Sequence, residues 1–169
     1  MDFLKGSWWT LRSVLYEELL FRGALLFLAL KYLGKFRGVF LSATVFGIYH
    51  WFSYNVFGDL VQMIYTFIIT GTGGVVFAYA YNMTRSLYLP IGLHLGWNYV
   101  TIVIFSQGLL PEDQFLISSS ENEIGIFGSI VSLLYQVVLF PVLSFLLVRF
   151  LTSKASLVNH KFVDTNSIF

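Results

Sequence analysis

The chain has 169 residues, of which 57% are hydrophobic and 11% are charged, and its mean hydropathy is +0.75. A soluble domain is typically about 25% charged, so this composition predicts an integral membrane protein. The net charge of +1 argues against a nucleic-acid partner and a polybasic surface anchor, and the absence of cysteine excludes disulfides, thiolate metal sites and a cysteine nucleophile.

Five apolar segments are each long enough to cross a bilayer, which takes about 20 helical residues. In chain order these segments cover 8–33, 38–57, 58–82, 86–107 and 124–151. A polar, acidic stretch, 107–123, precedes the fifth segment. We therefore predict an all-α polytopic bundle of about five transmembrane helices, with one domain over 1–151 and a polar C-terminal tail over 152–169.

Basic and acidic residues alternate between the ends of these segments. The basic ends carry Lys31, Lys35, Arg37, Arg85, Arg149, Lys154 and Lys161. The acidic ends carry Asp59, Glu112, Asp113, Glu121 and Glu123. Because basic loops stay on the cytoplasmic side, the pattern predicts an N-terminus outside and a C-terminus in the cytoplasm. The cysteine-free composition favours a bacterial inner membrane.

The first segment contains three ionisable residues, Glu17, Glu18 and Arg22, near its middle. Each central charge costs roughly 2.5–3.5 kcal/mol on membrane-insertion scales, so the three need a reason to be there. Glu18 and Arg22 are four residues apart on one helix face and can neutralise each other. Glu17 lies about 100° further round the helix, which leaves a carboxylate that needs another partner.

Three further polar residues lie inside later segments: His50 in the second, and His94 and Asn98 in the fourth. His94 and Asn98 are four apart and therefore share a helix face. Counted from the cytoplasmic ends at about 1.5 Å per residue, Glu17 lies roughly 24 Å deep, His50 roughly 18 Å, and His94 and Asn98 roughly 12–18 Å. These depths overlap, so the sequence predicts one buried polar cluster.

This set of side chains allows more than one chemistry. Glu17 can act as general base on a water molecule that His50 helps to hold, while His94 and Asn98 donate hydrogen bonds to an oxyanion. Alternatively, Glu17, His50 and His94 supply one oxygen and two nitrogens to a Zn²⁺ ion that keeps water as its fourth ligand. A proton or ion path through the same charges is a third reading.

The three motifs resemble those of the CPBP family of intramembrane proteases, also called the CAAX protease or Abi family. The family pattern is Glu-Glu-x-x-x-Arg, then Phe-x-x-x-His, then His-x-x-x-Asn, each on a separate membrane helix. The matching residues here are Glu17, Glu18, Arg22, Phe46, His50, His94 and Asn98. The resemblance covers about residues 11–105.

The resemblance implies that Glu17 is the catalytic base, that His50 lies beside the water, and that His94 and Asn98 stabilise the oxyanion. It implies a structural role for Arg22, in agreement with its spacing from Glu18. Family members have been described both as zinc enzymes and as metal-independent glutamate enzymes. The implied substrates are lipidated or membrane-associated proteins and peptides, which the chain would meet among membrane lipids.

Two alternatives to a protease stay open: a non-catalytic scaffold or bacteriocin-immunity protein of the same fold, and a small ion or proton carrier. Family members usually carry several membrane helices before the Glu-Glu motif, whereas only about ten residues of helix precede Glu17 here. We therefore expect further N-terminal helices or a second subunit to complete the bundle.

Overall fold

A computed structural model describes residues 3–99, 101, 130–131 and 133–166, with side chains for 4–99, 101, 130, 131 and 133–154. Every regular element among these residues is a helix, which confirms the all-α prediction. The elements are α1 (Phe3–Glu18), a π-helical segment (Leu19–Leu26), α2 (Phe27–Ser53), α3 (Leu60–Thr84), α4 (Tyr88–Asn98), a second π-helical segment (Tyr135–Leu139) and α5 (Phe140–Asn166).

The predicted segments correspond to these helices with one difference. The first two segments are separate, as predicted: one runs from α1 through the π-helical segment into the start of α2, and the other is the part of α2 after a break at Gly34. The last helix continues to Asn166, through most of the predicted polar tail. The predicted acidic stretch, 107–123, and parts of the fourth and fifth segments lie outside the described residues.

Two helices of the described part are long and apolar enough to cross a membrane: Leu60–Thr84 and Tyr135–Lys154. The first predicted segment carries Glu17, Glu18 and Arg22, and the described part of α4 has only 11 residues. The count of five membrane spans therefore stays a prediction.

Gly34 folds α2 back on itself. Its φ of +79° and ψ of 178° lie in a region that residues with a Cβ rarely adopt, so the helix breaks there into two arms. Gly38, on the second arm, lies so close to the backbone of Ala29 that a Cβ at this position would meet its carbonyl carbon at 3.1 Å. The Ser42 hydroxyl donates to the Phe21 carbonyl at 3.1 Å, which ties the second arm to the helix that carries the carboxylates.

The second arm of α2 also packs closely on α3. A Cβ on Gly74 would lie 3.1 Å from the Ala43 Cα and 3.1 Å from the Phe46 ring, so the helices approach here because Gly74 has no side chain. Asp59 begins α3 as its N-cap and accepts hydrogen bonds from the Val61 and Gln62 amides. Arg85 ends the same helix in a left-handed conformation.

Burial is inverted relative to a soluble protein. Glu18 and Arg22 are fully buried, whereas large apolar side chains such as Phe36, at 92% exposure, and Phe40, at 72%, lie on the surface. Apolar surface of this kind is stable against lipid, and a buried polar centre must satisfy its own charges. The helices therefore enclose a polar centre behind an apolar exterior.

Candidate active site

The π-helical segment Leu19–Leu26 carries Arg22 into the polar centre. Its guanidinium Nη1 lies 2.9 Å from the Glu18 Oε1, as the four-residue spacing predicts. Nη2 donates to the Gly74 carbonyl on α3 at 3.4 Å. The Arg22 Cζ lies 4.2 Å from the centroid of the Phe46 ring and 5.2 Å from that of Phe77. The charge is thus held by a carboxylate, a carbonyl and two aromatic faces, which together offset the loss of water.

Glu18 has a second contact that its spacing from Arg22 does not indicate. The same Oε1 lies 2.8 Å from the Nδ1 of His94 on α4, and both side chains are buried. A carboxylate oxygen that already accepts from Arg22 also accepts from this ring nitrogen, so the Nδ1 of His94 carries hydrogen. Glu18 therefore orients His94 as well as pairing with Arg22, and this inter-helix role was missed in the sequence.

Both histidines turn the same ring nitrogen toward Glu17. The Nδ1 of His50 donates to the Phe46 carbonyl at 2.8 Å, one helical turn back along α2. With hydrogen on both Nδ1 positions, each ring in its neutral form presents an unprotonated Nε2 atom. These lie 3.8 Å (His50) and 3.7 Å (His94) from the Oε2 of Glu17.

The two oxygens of Glu17 have different surroundings. Oε1 accepts a hydrogen bond from the Ser13 hydroxyl at 3.1 Å, one turn earlier on α1. Oε2 is buried and has no hydrogen-bond partner within the described part of the chain. Ser13 was not predicted, although its i, i+4 spacing to Glu17 could have indicated the contact. The result is a carboxylate with one oxygen anchored and the other directed at two imidazoles.

Asn98 lies next to His94, as their spacing predicts. Its Nδ2 is 3.3 Å from the His94 Nε2, so the amide donates to the unprotonated ring nitrogen. A neutral His94 in this arrangement accepts at Nε2 and cannot also donate there. Asn98 keeps a second amide N–H for an oxyanion, and the oxyanion roles of Asn98 and His94 stay predictions.

A cavity of about 30 Å³ adjoins these residues, enclosed by α2, α3, α4 and the start of the last helix. One water molecule occupies about 30 Å³ in the liquid, so the cavity has room for a water-sized group. Its lining includes His50, Thr70, Phe77, His94, Trp97 and Asn98. Trp51 lies elsewhere, with its indole donating to the Met63 carbonyl at 2.8 Å, and has a packing role.

Two aromatic rings hold the histidines in place. Phe77 stacks on His94 with a centroid distance of 4.6 Å and an interplanar angle of 17°. Phe46 contacts His50 edge to face at 4.5 Å and His94 at 5.7 Å. Phe46 belongs to the second motif, whereas nothing in the sequence distinguished Phe77 from the 17 other phenylalanines.

The spacing of the same side chains bears on the zinc alternative. Ligand atoms that are each 2.0–2.1 Å from a tetrahedral zinc ion lie about 3.3–3.4 Å apart. The Glu17 Oε2 is 3.7 and 3.8 Å from its two nitrogen neighbours. Within the described ranges, no three His, Cys, Asp or Glu side chains form a group that could hold a metal ion. As placed, these side chains do not fit zinc, and zinc dependence stays a prediction.

The family comparison matches residues 3–100 to the family described as type II CAAX prenyl endopeptidase Rce1-like. A search of curated proteins and a search of solved structures each found no significant match. The matched range is more than half of the chain, contains all three motifs, and belongs to a family of membrane-embedded proteases. This chain is a member of the Rce1-like family of type II CAAX prenyl endopeptidases.

Proposed function

We propose that this protein is an intramembrane endopeptidase that hydrolyses a peptide bond with a water molecule activated by Glu17. The observation that carries the proposal is the Glu17 Oε2: it is buried, has no hydrogen-bond partner among the described residues, and faces two imidazole Nε2 atoms. The Asn98 amide already donates to the His94 Nε2, so the Glu17 Oε2 and the His50 Nε2 are the two acceptors that need a hydrogen-bond donor between them. A water molecule is such a donor, and it is also the second substrate of hydrolysis.

Before the proposed reaction, the water molecule donates one hydrogen bond to Glu17 and a second to the His50 Nε2. Glu17 takes the first proton as the water oxygen forms a bond to the substrate carbonyl carbon. The negative charge moves to the carbonyl oxygen, which accepts a hydrogen bond from the Asn98 amide. The carbon–nitrogen bond then breaks, and the proton held by Glu17 passes to the leaving amine.

Glu18 and Arg22 act through His94 in this proposal. Glu18 fixes the His94 ring by its 2.8 Å contact to Nδ1, and Arg22 neutralises Glu18. With neutral imidazoles, the centre carries one net negative charge, that of Glu17. The base is therefore the only uncompensated charge in the cluster.

The substrate class follows from where the centre lies. We infer a membrane-associated or lipidated peptide, since the helices that carry the centre present apolar surface outward. The family description, prenyl endopeptidase, names the same class for the family. We also propose five membrane spans, with the N-terminus outside and the C-terminus in the cytoplasm of a bacterial cell.

The decisive experiment compares the wild type with Glu17→Gln on a library of membrane-tethered peptides in liposomes, with and without a chelator. Glu17→Gln keeps the size of the side chain and removes the base, so we expect cleavage to fall at least about 10³-fold. Asp59→Asn is the matched control, because it makes the same change at a solvent-facing helix cap, and it should cleave as the wild type does.

The outcomes separate the alternatives. Cleavage that survives chelator but not Glu17→Gln supports the water mechanism, whereas cleavage abolished by chelator and restored by zinc supports the zinc alternative. A folded wild type with no cleavage above that of Glu17→Gln would contradict the enzyme and favour the scaffold or immunity role. Charge movement across sealed vesicles that requires Glu17 would instead favour an ion carrier.

A further inference from the structure

A second cavity, of about 940 Å³, lies between the second arm of α2, α3 and α5, and we call it the α3 groove. Its lining is mainly apolar and includes Val39, Phe40, Ile68, Val75, Phe145 and Leu146. Phe40 is 72% exposed and Leu146 55%. In a membrane these side chains meet lipid chains, so the groove opens to the bilayer.

The groove has the length of a lipid chain. It follows α3 from Phe67 to Asn82, which at 1.5 Å per residue is about 22 Å. One leaflet of the hydrocarbon core is about 15 Å thick. An acyl chain that starts at one end of the groove can therefore run along it to the middle of the bilayer.

One end of the groove is polar. Lys35 and Asn82 line it there, while the lining toward the Phe67 end is apolar apart from threonine hydroxyls. Asn82 is 8% exposed, lines the groove, and makes no amide hydrogen bond within the part of the chain that the structure describes. An amide that lines the groove can hydrogen-bond a group bound there.

Helix register brings a second cation to the same end. Gly74 on α3 lies against Ala43 on the second arm of α2, and these two helices are antiparallel. Eight residues forward along α3 and eight residues back along α2 therefore place Asn82 level with Lys35. Tyr79 on α3 stacks on Phe145 on α5, and these two helices are parallel. Three residues further along both helices, Asn82 is level with Val148, the neighbour of Arg149. The Arg149 guanidinium also lies 5.9 Å from the ring of Phe145, which lines the groove.

The two cations have no carboxylate partner in the described residues. Both side chains are exposed and lie on different helices, α2 and α5. An occupant with no net negative charge, such as an apolar helix or a zwitterionic lipid, would leave the two positive charges uncompensated. A headgroup with a net negative charge on an apolar chain would compensate them and could accept a hydrogen bond from the Asn82 amide.

We propose that the α3 groove binds an anionic phospholipid, with the phosphate held by Lys35, Asn82 and Arg149 and one acyl chain lying along α3. The proposal is independent of the hydrolytic function, since none of these residues lies in the polar centre. The lipid is thus bound at a specific site and is distinct from the bulk lipid of the bilayer.

The test is native mass spectrometry of the delipidated full chain with phosphatidylglycerol and phosphatidylcholine of identical acyl chains. Each cation near an anionic headgroup favours binding about fivefold, so we expect the wild type to prefer phosphatidylglycerol about 30-fold. The Lys35→Gln and Arg149→Gln double variant should lose the preference. The matched control, Lys31→Gln with Lys154→Gln, removes the same charge outside the groove and should keep it.

Two more variants distinguish loss of the lipid site from misfolding and from a general effect of surface charge. Lys35→Arg with Arg149→Lys keeps both charges and should keep the preference. Val75→Trp places a large ring in the groove and should weaken the binding of both lipids while leaving the charges in place.

The proposal is overturned if the double Gln variant keeps the wild-type preference or if Val75→Trp binds phosphatidylglycerol as the wild type does. Glycerol 3-phosphate should not compete at concentrations that match the lipid, and effective competition by it would show that the acyl chain is not recognised. Delipidated protein that dimerises and loses the lipid preference would identify a second copy, rather than a lipid, as the occupant.

Discussion

Phe77 contacts two members of the polar centre, His94 and Arg22, with a single ring. It stacks on His94 at 4.6 Å and lies 5.2 Å from the Arg22 Cζ. The Glu18 carboxylate joins the same two groups from another direction. His94 is therefore fixed both by a hydrogen bond in the plane of its ring and by an aromatic face above it.

Replacing Phe77 by Leu should lower kcat about tenfold and leave KM nearly unchanged, since an aromatic pair contributes about 0.5–1.5 kcal/mol beyond its area. The measurement is steady-state cleavage of a peptide that the wild type cleaves. Phe67→Leu is the control, because Phe67 packs on Trp51 away from the centre. Equal losses in the two variants would show a packing role only.

Spacing along one helix was enough to predict the local contacts. The Glu18–Arg22 pair and the neighbouring His94 and Asn98 both follow from a separation of four residues. The contact between Glu18 and His94 joins residues 76 apart on different helices, so no local pattern indicates it. Phe77 lies on α3, which carries none of the three motifs, and a phenylalanine in an apolar helix is indistinguishable from its neighbours.

At the scale of elements, Gly34 determines where the second arm of α2 lies. The hairpin it forms lets Ser42 reach the Phe21 carbonyl and places Phe46 5.1 Å from Phe21, centroid to centroid. The predicted gap between the first two apolar segments, 8–33 and 38–57, falls at this position. The π-helical segment Leu19–Leu26 was not predicted, because a π-helix has no distinctive composition.

Gly34→Ala should destabilise the fold by about 1–3 kcal/mol, the range for a residue with a Cβ in a sparsely populated backbone region. The measurement is thermal unfolding in detergent, where the transition should move down by several degrees. Gly92→Ala is the opposite control: it lies in α4, a Cβ there meets nothing within 4 Å, and alanine favours a helix. An unfolding temperature that does not fall in Gly34→Ala would contradict the requirement for glycine at the break between the two arms of α2.

Across the whole molecule, the alternation of basic and acidic ends in the sequence predicts a direction through the membrane. Composition was sufficient to predict a membrane protein and an all-α fold. The span count could not be settled in the same way, because α1 carries Glu17 and Glu18 and does not meet a simple test of apolar length. Glu17 and Glu18 contact polar groups on other helices, and a hydropathy average along one helix contains no information on such contacts.

Because the chain contains no cysteine, single cysteines can report this direction without background labelling. We expect Tyr88→Cys and Lys154→Cys, both next to basic ends, to react with a membrane-impermeant maleimide only after the cells are broken. Leu60→Cys, next to Asp59, should react in intact cells. Labelling of all three in intact cells, or the reverse pattern, would contradict the proposed orientation.

The two contacts of Glu18 form at different stages of biosynthesis. Arg22 follows Glu18 by four residues, so the pair can close within the first helix as soon as that helix leaves the ribosome. His94 is synthesised 72 residues after Arg22 and reaches Glu18 only when α4 arrives. Early pairing offsets the charge of Glu18 while the first helix enters the bilayer, and the same oxygen remains accessible to the histidine that joins it later.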